Sequence, residues 1–231
     1  MIVASGIEKA FGKLAVLRGV NLQVRAGERV ALVGPNGSGK TTLLRSIVGL
    51  LRYRGHISIG GVDVARDPVR ALKHVAYVPQ VTPPLDAPVG ELLRAWGRLR
   101  GIDVARAAPF ATALDLSLET IAKTRLRDLS GGMKQKLLLA VGLASEPHLL
   151  VCDEPTANLD PAARIAFFTA VAALPAETAM VICSHRLDEV RHLVGRVVEL
   201  DEGAVIADRS VDDFVATQND DIANLLQWRN A

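Results

Sequence analysis

The chain has 231 residues, 49% hydrophobic and 23% charged, enough for one large domain, or one with an embedded subdomain, around a substantial core. A net charge of +2 gives no general case for nucleic acid or an anionic membrane surface as a partner. The longest apolar candidate, Leu137 to Ala144, falls well short of the ~18–20 residues that cross a bilayer, and the segment from Met1 to Glu8 lacks the basic start and apolar stretch of a signal peptide, so a cytoplasmic location is expected.

Residues 1–33 alternate in the manner of strands: Ile2-Val-Ala4, Leu14 to Leu17, Val20 to Val24 and Arg29 to Val33, with Gly12, Gly19 and Ala26-Gly27 as turn signals. The next stretch reads Gly34-Pro-Asn-Gly-Ser-Gly-Lys-Thr-Thr42 and satisfies G-x-x-x-x-G-K-[ST]. An apolar run precedes it and a helix-like stretch, Thr41 to Leu51, follows, which is the order the chemistry needs. Glycines let successive N–H groups curl around phosphates, and the helix points its positive end at the same anion. Gly34, Pro35, Asn36, Gly37, Ser38, Gly39, Lys40, Thr41 and Thr42 are therefore candidate contacts for a nucleoside triphosphate. Lys40 would reach the β- and γ-phosphates, and the Thr41 hydroxyl would hold Mg²⁺.

Residues 55–64 predict a hairpin turning at Gly60-Gly61, and Val75 to Val78 another strand, closed by Pro79-Gln80. Three prolines within residues 81–88 forbid continuous strand or helix and mark a linker. Beyond it Leu92, Leu93, Trp96 and Leu99 fall at helical spacing and read as the core stripe of a helix; Ala107 to Leu118 is a second candidate. Residues 89–128 thus form a helical insert. The α/β pattern resumes with helix 131–145, strand 149–152, helix 161–173, strand 179–183, helix 186–193 and strand 196–200, implying a parallel sheet covered on both faces. Cys152 and Cys183 sit in apolar runs and read as buried thiols acting as small hydrophobes, without C-x-x-C spacing. His56, His74, His148, His185 and His192 show no metal-ligand spacing.

The strand Leu149 to Cys152 ends in Asp153-Glu154, and ligands of α/β sheets bind at the carboxyl ends of strands. Asp153 suits water-mediated support of Mg²⁺, and Glu154 could accept a proton from an attacking water. Leu129-Ser-Gly-Gly-Met-Lys-Gln135 resembles the signature sequence of the ATP-binding-cassette (ABC) ATPases. In the light of that resemblance Gln80 is similar to the family's Q-loop glutamine, touching Mg²⁺, and Asp153-Glu154 to its Walker B end. Asn158-Leu-Asp160 is similar to its D-loop and His185 to its switch histidine, while Phe11, followed by Val16, resembles the aromatic loop on which adenine stacks. The likeness covers residues 1 to about 207.

The resemblance implies one ABC ATPase domain over 1–231: an α/β P-loop NTPase (RecA-like) core with an N-terminal antiparallel β-subdomain (1–80 and 129–207), an inserted α-helical subdomain (89–128) and a C-terminal tail (208–231). It implies ATP and Mg²⁺ as cofactors, with Lys40, Gln80, Glu154 and His185 catalytic. It further implies head-to-tail pairing with a second cassette, a homodimer or a heterodimer with a paralogue. Each ATP then lies between Lys40 of one copy and Ser130, Gly131 and Gly132 of the other. Ser130, at the N-cap of the helix starting near Gly131, and the glycine amides form that second anion cup. Met133 and Lys134 stand where many relatives have glutamines, outside the cup. The leading expectation is the ATPase subunit of a transporter whose permease subunits are separate membrane chains, peripheral on the cytoplasmic face and binding no nucleic acid. The short form resembles small exporters and metal, haem or copper-related maturation systems. The alternative is a soluble ABC ATPase acting in cofactor assembly or another non-transport process.

Overall fold

The computed structural model describes residues 1–217. The chain opens with strands β1 (Ile2–Phe11), β2 (Leu14–Val24) and β3 (Arg29–Val33), then helix α1 (Lys40–Ile47) and strands β4 (Arg54–Ile59) and β5 (Val62–Asp63). A short helix α2 (Pro68–Ala71) leads to β6 (Val75–Val78), and the helical segment follows as α3 (Val89–Arg100), α4 (Ala107–Ala113) and α5 (Leu118–Ile121). The rest alternates: α6 (Gly131–Ala144), β7 (Leu149–Asp153), α7 (Pro161–Ala172), β8 (Ala179–Cys183), α8 (Leu187–Leu193), β9 (Arg196–Asp201) and β10 (Ala204–Ser210). Residues 211–217 are helical.

Two sheets result. The antiparallel one has order β2-β1-β4-β5, and the six-stranded one β10-β9-β3-β8-β7-β6, parallel apart from its β10 edge. The parallel strands are apolar through most of their length, with Arg29, Asp153, Arg196, Glu199 and Asp201 as the charged exceptions, because both faces of the sheet are covered. On one face Val30, Leu32, Leu149 and Val151 meet α1 and the antiparallel sheet through Leu43, Ile47, Ile7 and Val24. On the other Ala31, Ala76, Leu150 and Cys152 pack with Leu139, Leu143, Phe167 and Val171 of α6 and α7. Cys152 and Cys183 therefore lie on adjacent strands but in opposite cores; both are free and buried, and burial pushes both thiols well up.

The structure departs from the sequence-based elements at identifiable points. Residues 14–24 form one strand, because Gly19 (φ +79°) sits at a register shift against β1 and the sheet absorbs it as a bulge. The true turn is at Gly12, between the paired Phe11 and Leu14. The helix expected over 41–51 ends at Ile47, and Gly49 (φ +70°) turns the chain away. The helix expected over 107–118 breaks after Ala113: Leu114 and Leu116 are both buried, and Asp115 (φ +56°) makes the bend that lets them be. In α3 the closest packing is at Gly97, where a Cβ would stand 2.6 Å from Val104 Cγ1. Leu99 lies two residues on, about 200° around the helix, and is 86% exposed rather than part of a core stripe. The segment expected to be tail from residue 208 begins inside β10, where Asp208 pairs with Arg196 through contacts of 2.6 Å; residues 218–231 of that tail lie outside the described residues.

Candidate active site

The loop between β3 and α1 has glycines where nothing else fits. Gly34 (φ +139°) would drive a Cβ to 2.0 Å from the Leu200 carbonyl oxygen, and Gly39 (φ +105°) would meet Leu17 Cδ2 at 2.8 Å and the Val16 oxygen at 2.9 Å. The turn between β9 and β10 braces the loop from behind: Gly203 N–H donates to the Ser38 carbonyl at 3.1 Å, and its own carbonyl accepts from Arg18 N–H at 2.8 Å. Lys40 Nζ donates to the carbonyls of Gly34 (2.7 Å) and Pro35 (2.9 Å), which holds the ammonium across the loop. The N-terminal amides of α1 point into the same space.

Beside this loop ends β7. Asp153 is fully buried; its Oδ1 accepts from the Thr41 hydroxyl at 3.0 Å, and its Oδ2 has no hydrogen-bond partner among the described residues. Burial pushes the Asp153 carboxyl up, while the Thr41 hydrogen bond pulls it back. An unpaired buried carboxylate oxygen next to a hydroxyl, with the Gln80 amide in the same cleft, is an oxygen donor set suited to a hard divalent cation such as Mg²⁺. Glu154 takes the left-handed conformation (φ +51°), and its N–H donates to the Cys183 carbonyl at 3.0 Å. That turn aims Oε1 at His185 Nδ1, 2.9 Å away. The His185 side chain is 71% exposed.

A cleft of about 390 Å³ joins these parts, lined by Leu14, Val16, Asn36, Gly37, Gly39, Lys40, Thr41, Thr42, Gln80, Asp153 and Glu154. Gly34, Pro35 and Ser38 belong to the same loop but do not line the cleft. Phe11 is not in the lining: it stands half-exposed at the hairpin end, with Lys9 Nζ 4.9 Å from its ring centre, and Leu14 across the turn reaches the cleft. A larger cleft of about 680 Å³, where Lys9, Arg18, Arg52 and Arg54 gather, contains none of the expected site residues.

Ser130, Gly131 and Gly132 are elsewhere. Ser130 caps α6, its Oγ accepting from Met133 N–H at 3.2 Å, and neither it nor the two glycines lines the cleft. Behind the cap Gln135 Nε2 donates to the Pro155 carbonyl at 2.9 Å, and the buried Lys136 pairs with Asp160 at 3.0 Å. Asp160 also caps α7 through Ala163 N–H at 2.9 Å. Met133 packs against the helical core, and Lys134 Nζ donates to the Arg127 carbonyl at 2.8 Å.

A family model described as ABC transporter matches residues 17–157. The chain belongs to the ABC transporter family. It is accordingly an ATPase and binds ATP. A linearmycin resistance ATP-binding protein of Bacillus subtilis is 34% identical over 90% of this chain and 68% of its own length. A Nod factor export ATP-binding protein of Burkholderia lata is 37% identical over 87% and 68%. A solved ATP-binding subunit of an ABC transporter superposes with a TM-score of 0.84 at 29% identity, over 95% of this chain and 93% of that one. The α/β P-loop architecture read from the sequence is the one present.

Some of this ABC ATPase's site was not visible in its sequence. Leu14, Lys136, Thr156 and Glu189 all touch the functional loops, yet none belongs to a short motif that names a role, and Gln135 closes the signature sequence without that motif showing its bond to the Pro155 carbonyl. The one signal for Glu189 was an acid placed next to Val190 on the inward side of a short helix; it is 1% exposed.

Proposed function

We propose that this chain powers an exporter whose membrane-spanning subunits are separate chains, working as a head-to-tail pair of cassettes on the cytoplasmic face. Among the described residues no helix is long and apolar enough to cross a membrane, and the relatives named for resistance and export favour an exporter over a maturation system.

The observation that carries the hydrolytic reading is the cleft that unites Lys40, Thr41, Gln80, Asp153 and Glu154. In this reading Thr41, Asp153 and Gln80 would hold Mg²⁺, which supplies charge neutralisation at the phosphates. The loop amides and Lys40 fix the β- and γ-phosphates. Glu154 takes a proton from the water whose oxygen attacks the γ-phosphorus, the bond from phosphorus to the β,γ-bridging oxygen breaks, and ADP leaves. His185 orients Glu154 through its 2.9 Å contact. Phe11 would offer the ring face opposite Lys9 to adenine, and Val16 lines the cleft.

Ser130, Gly131 and Gly132 stand outside this chain's own cleft, so a second copy supplies them across the γ-phosphate, and Asp160 lies at that boundary. The order-and-release logic then follows: ATP holds the pair together and hydrolysis loosens it. Size measurement of Glu154→Gln checks this, since a dimer with ATP and a monomer with ADP are expected; a monomer under saturating ATP would overturn it.

The permease surface is assigned to Gln80 and the loop 81–88, which exposes Val81 (70%) and Leu85 (47%). Asp86 fastens this loop to the residues before the signature through Arg125 (2.7 Å) and Arg127 (2.8 Å), and Arg127 in turn accepts from Lys134. A shift at Gln80 is thereby passed both outward to the loop and onward to α6. Leu85→Glu should abolish transport while isolated ATPase activity stays near wild type; unaffected transport would remove the loop from the interface.

A further inference from the structure

Two segments flank the hydrolytic pair. One runs from the end of β7 into α7, residues 153–164; the other from the end of β8 into α8, residues 184–189. Three polar side-chain contacts cross between them. Glu154 meets His185, Thr156 Oγ1 donates to Glu189 Oε1, and Arg164 Nη1 lies 3.5 Å from Asp188 Oδ2.

The middle contact is the buried one. Thr156 and Glu189 are each 1% exposed. Arg186 supports it from the same segment, with Nε 3.3 Å from Glu189 Oε1 and Nη2 donating to Asp188 at 3.2 Å. Burial pushes the Glu189 carboxyl up, so this position is a costly place for an acid. The outer contact explains what the cost secures. His185 is largely exposed, so no packing fixes its ring; its place depends on the backbone of 184–189 and on Glu154 itself. A histidine held by one hydrogen bond needs its main chain pinned, and a side-chain clamp two to four residues away on both segments pins it.

We propose that Thr156 and Glu189 are positioning residues that set the distance between Glu154 and His185. The inference rests on the reading of Glu154 and His185 as the hydrolytic pair. Neither Thr156 nor Glu189 lines the nucleotide cleft, so their loss should act on turnover and not on nucleotide affinity.

The test is steady-state ATPase kinetics of the full chain. Glu189→Leu and the isosteric Thr156→Val should each lower kcat by ~10–100-fold, the scale of a misplaced catalytic group, with KM for ATP within about twofold of wild type. Glu189→Gln keeps an acceptor for the Thr156 hydroxyl and should recover most of kcat. The Thr156→Val/Glu189→Leu double variant should be no slower than the worse single, because both remove one contact. His185→Ala and Glu154→Gln are measured alongside. Wild-type kcat in Thr156→Val and Glu189→Leu while those two are inactive would overturn the positioning role alone. Wild-type kcat in His185→Ala and Glu154→Gln would instead overturn the hydrolytic reading on which it rests. A kcat loss in Glu189→Gln equal to that in Glu189→Leu, with KM raised in step, would mark a structural residue and also refute the proposal.

Discussion

The N-termini of α1 and α6 are built from similar parts and set in different surroundings. Each has glycines at its start, before α1 at Gly37 and Gly39 and within the first turn of α6 at Gly131 and Gly132, and each leaves free amides at its N-terminus. Around α1 the chain adds a cation, a hydroxyl, two carboxylates and an amide: Lys40, Thr41, Asp153, Glu154 and Gln80. Its glycines are locked, with Gly34 and Gly39 at positive φ and pressed against neighbouring atoms. Around α6 the nearby cations are turned away, Lys134 to the Arg127 carbonyl and Lys136 to Asp160, and Gly131 has nothing closer than 3.9 Å to where its Cβ would be. In the proposed reading the contrast separates a site that does chemistry from a surface that closes one on a second cassette. An anion cup without its own cation recognises a phosphate already neutralised by another chain, which is the physical reason to expect pairing.

The largest expected effect is at the carboxylate that only the first site has. Glu154→Gln should lower kcat by ~10²–10⁴-fold, the range for removing a general base, while ATP affinity is kept. Lys40→Ala should cost ~10²–10³-fold in turnover, as for loss of one fixed donor to developing charge, and should weaken nucleotide binding as well. Fluorescent-nucleotide titration with single-turnover kinetics distinguishes the two. Tight binding with no turnover marks Glu154→Gln, and weak binding marks Lys40→Ala. If either variant behaves as wild type, α1 is not the chemical half of the comparison.

The same contrast governs what could be read from the sequence. Residues 34–42, Asp153-Glu154 and the Ser130 cap were legible because each is a local device: a turn, a strand end, a helix start. Their chemistry depends on neighbours in the chain. Gly19 misled because a glycine at positive φ serves a turn and a bulge equally, and only pairing with β1 decides between them. The break at Asp115 was hidden for a related reason, since burial of both Leu114 and Leu116 depends on α6 and α7. Thr156 and Glu189 are 33 residues apart, and Gln135 and Pro155 are 20 apart. Read alone, none of the four announces its partner, and only the fold brings each pair together. Phe11 and Leu14 show the limit within a motif: the resemblance picks out Phe11 and Val16, Val16 does line the cleft, and the side chain beside it is Leu14 across the turn and not Phe11.

A third comparison uses alanine at matched glycines. Gly34→Ala must find room at 2.0 Å from a carbonyl oxygen in a backbone region L-residues avoid, so the protein should lose soluble expression or melt far below wild type. Gly131→Ala enters ordinary helix with space around it and should fold with an unchanged or slightly raised melting temperature. Its methyl group would nonetheless occupy the second cup, so ATPase activity should fall by ~10-fold through lost closure on the partner's nucleotide. Full activity in Gly131→Ala would mean that α6 faces no phosphate.

The smallest effect concerns stability alone. Because burial raises the Asp153 carboxyl, the folded protein holds that proton more tightly than the unfolded chain does. The contribution of Asp153 to stability is then fullest in acid, below the unfolded carboxyl's value near 4. It declines as pH rises through the folded value, above which the ionised buried side chain is a burden. Asp153→Asn keeps an oxygen that can accept from Thr41 and removes the charge. Without nucleotide it should be more stable than wild type at pH 7 by about 0.5–2 kcal/mol, the range for relief of functional-site strain. The gap should narrow as the pH falls through the raised folded value, where wild type takes up the proton as well, and denaturant titrations across that range read it directly. Turnover should fall with the same change, since the cation loses its buried carboxylate. A variant less stable than wild type at pH 7 would show that the Asp153 charge is already compensated inside the protein, and that the α1 site carries no more strain than the α6 cup it is being compared with.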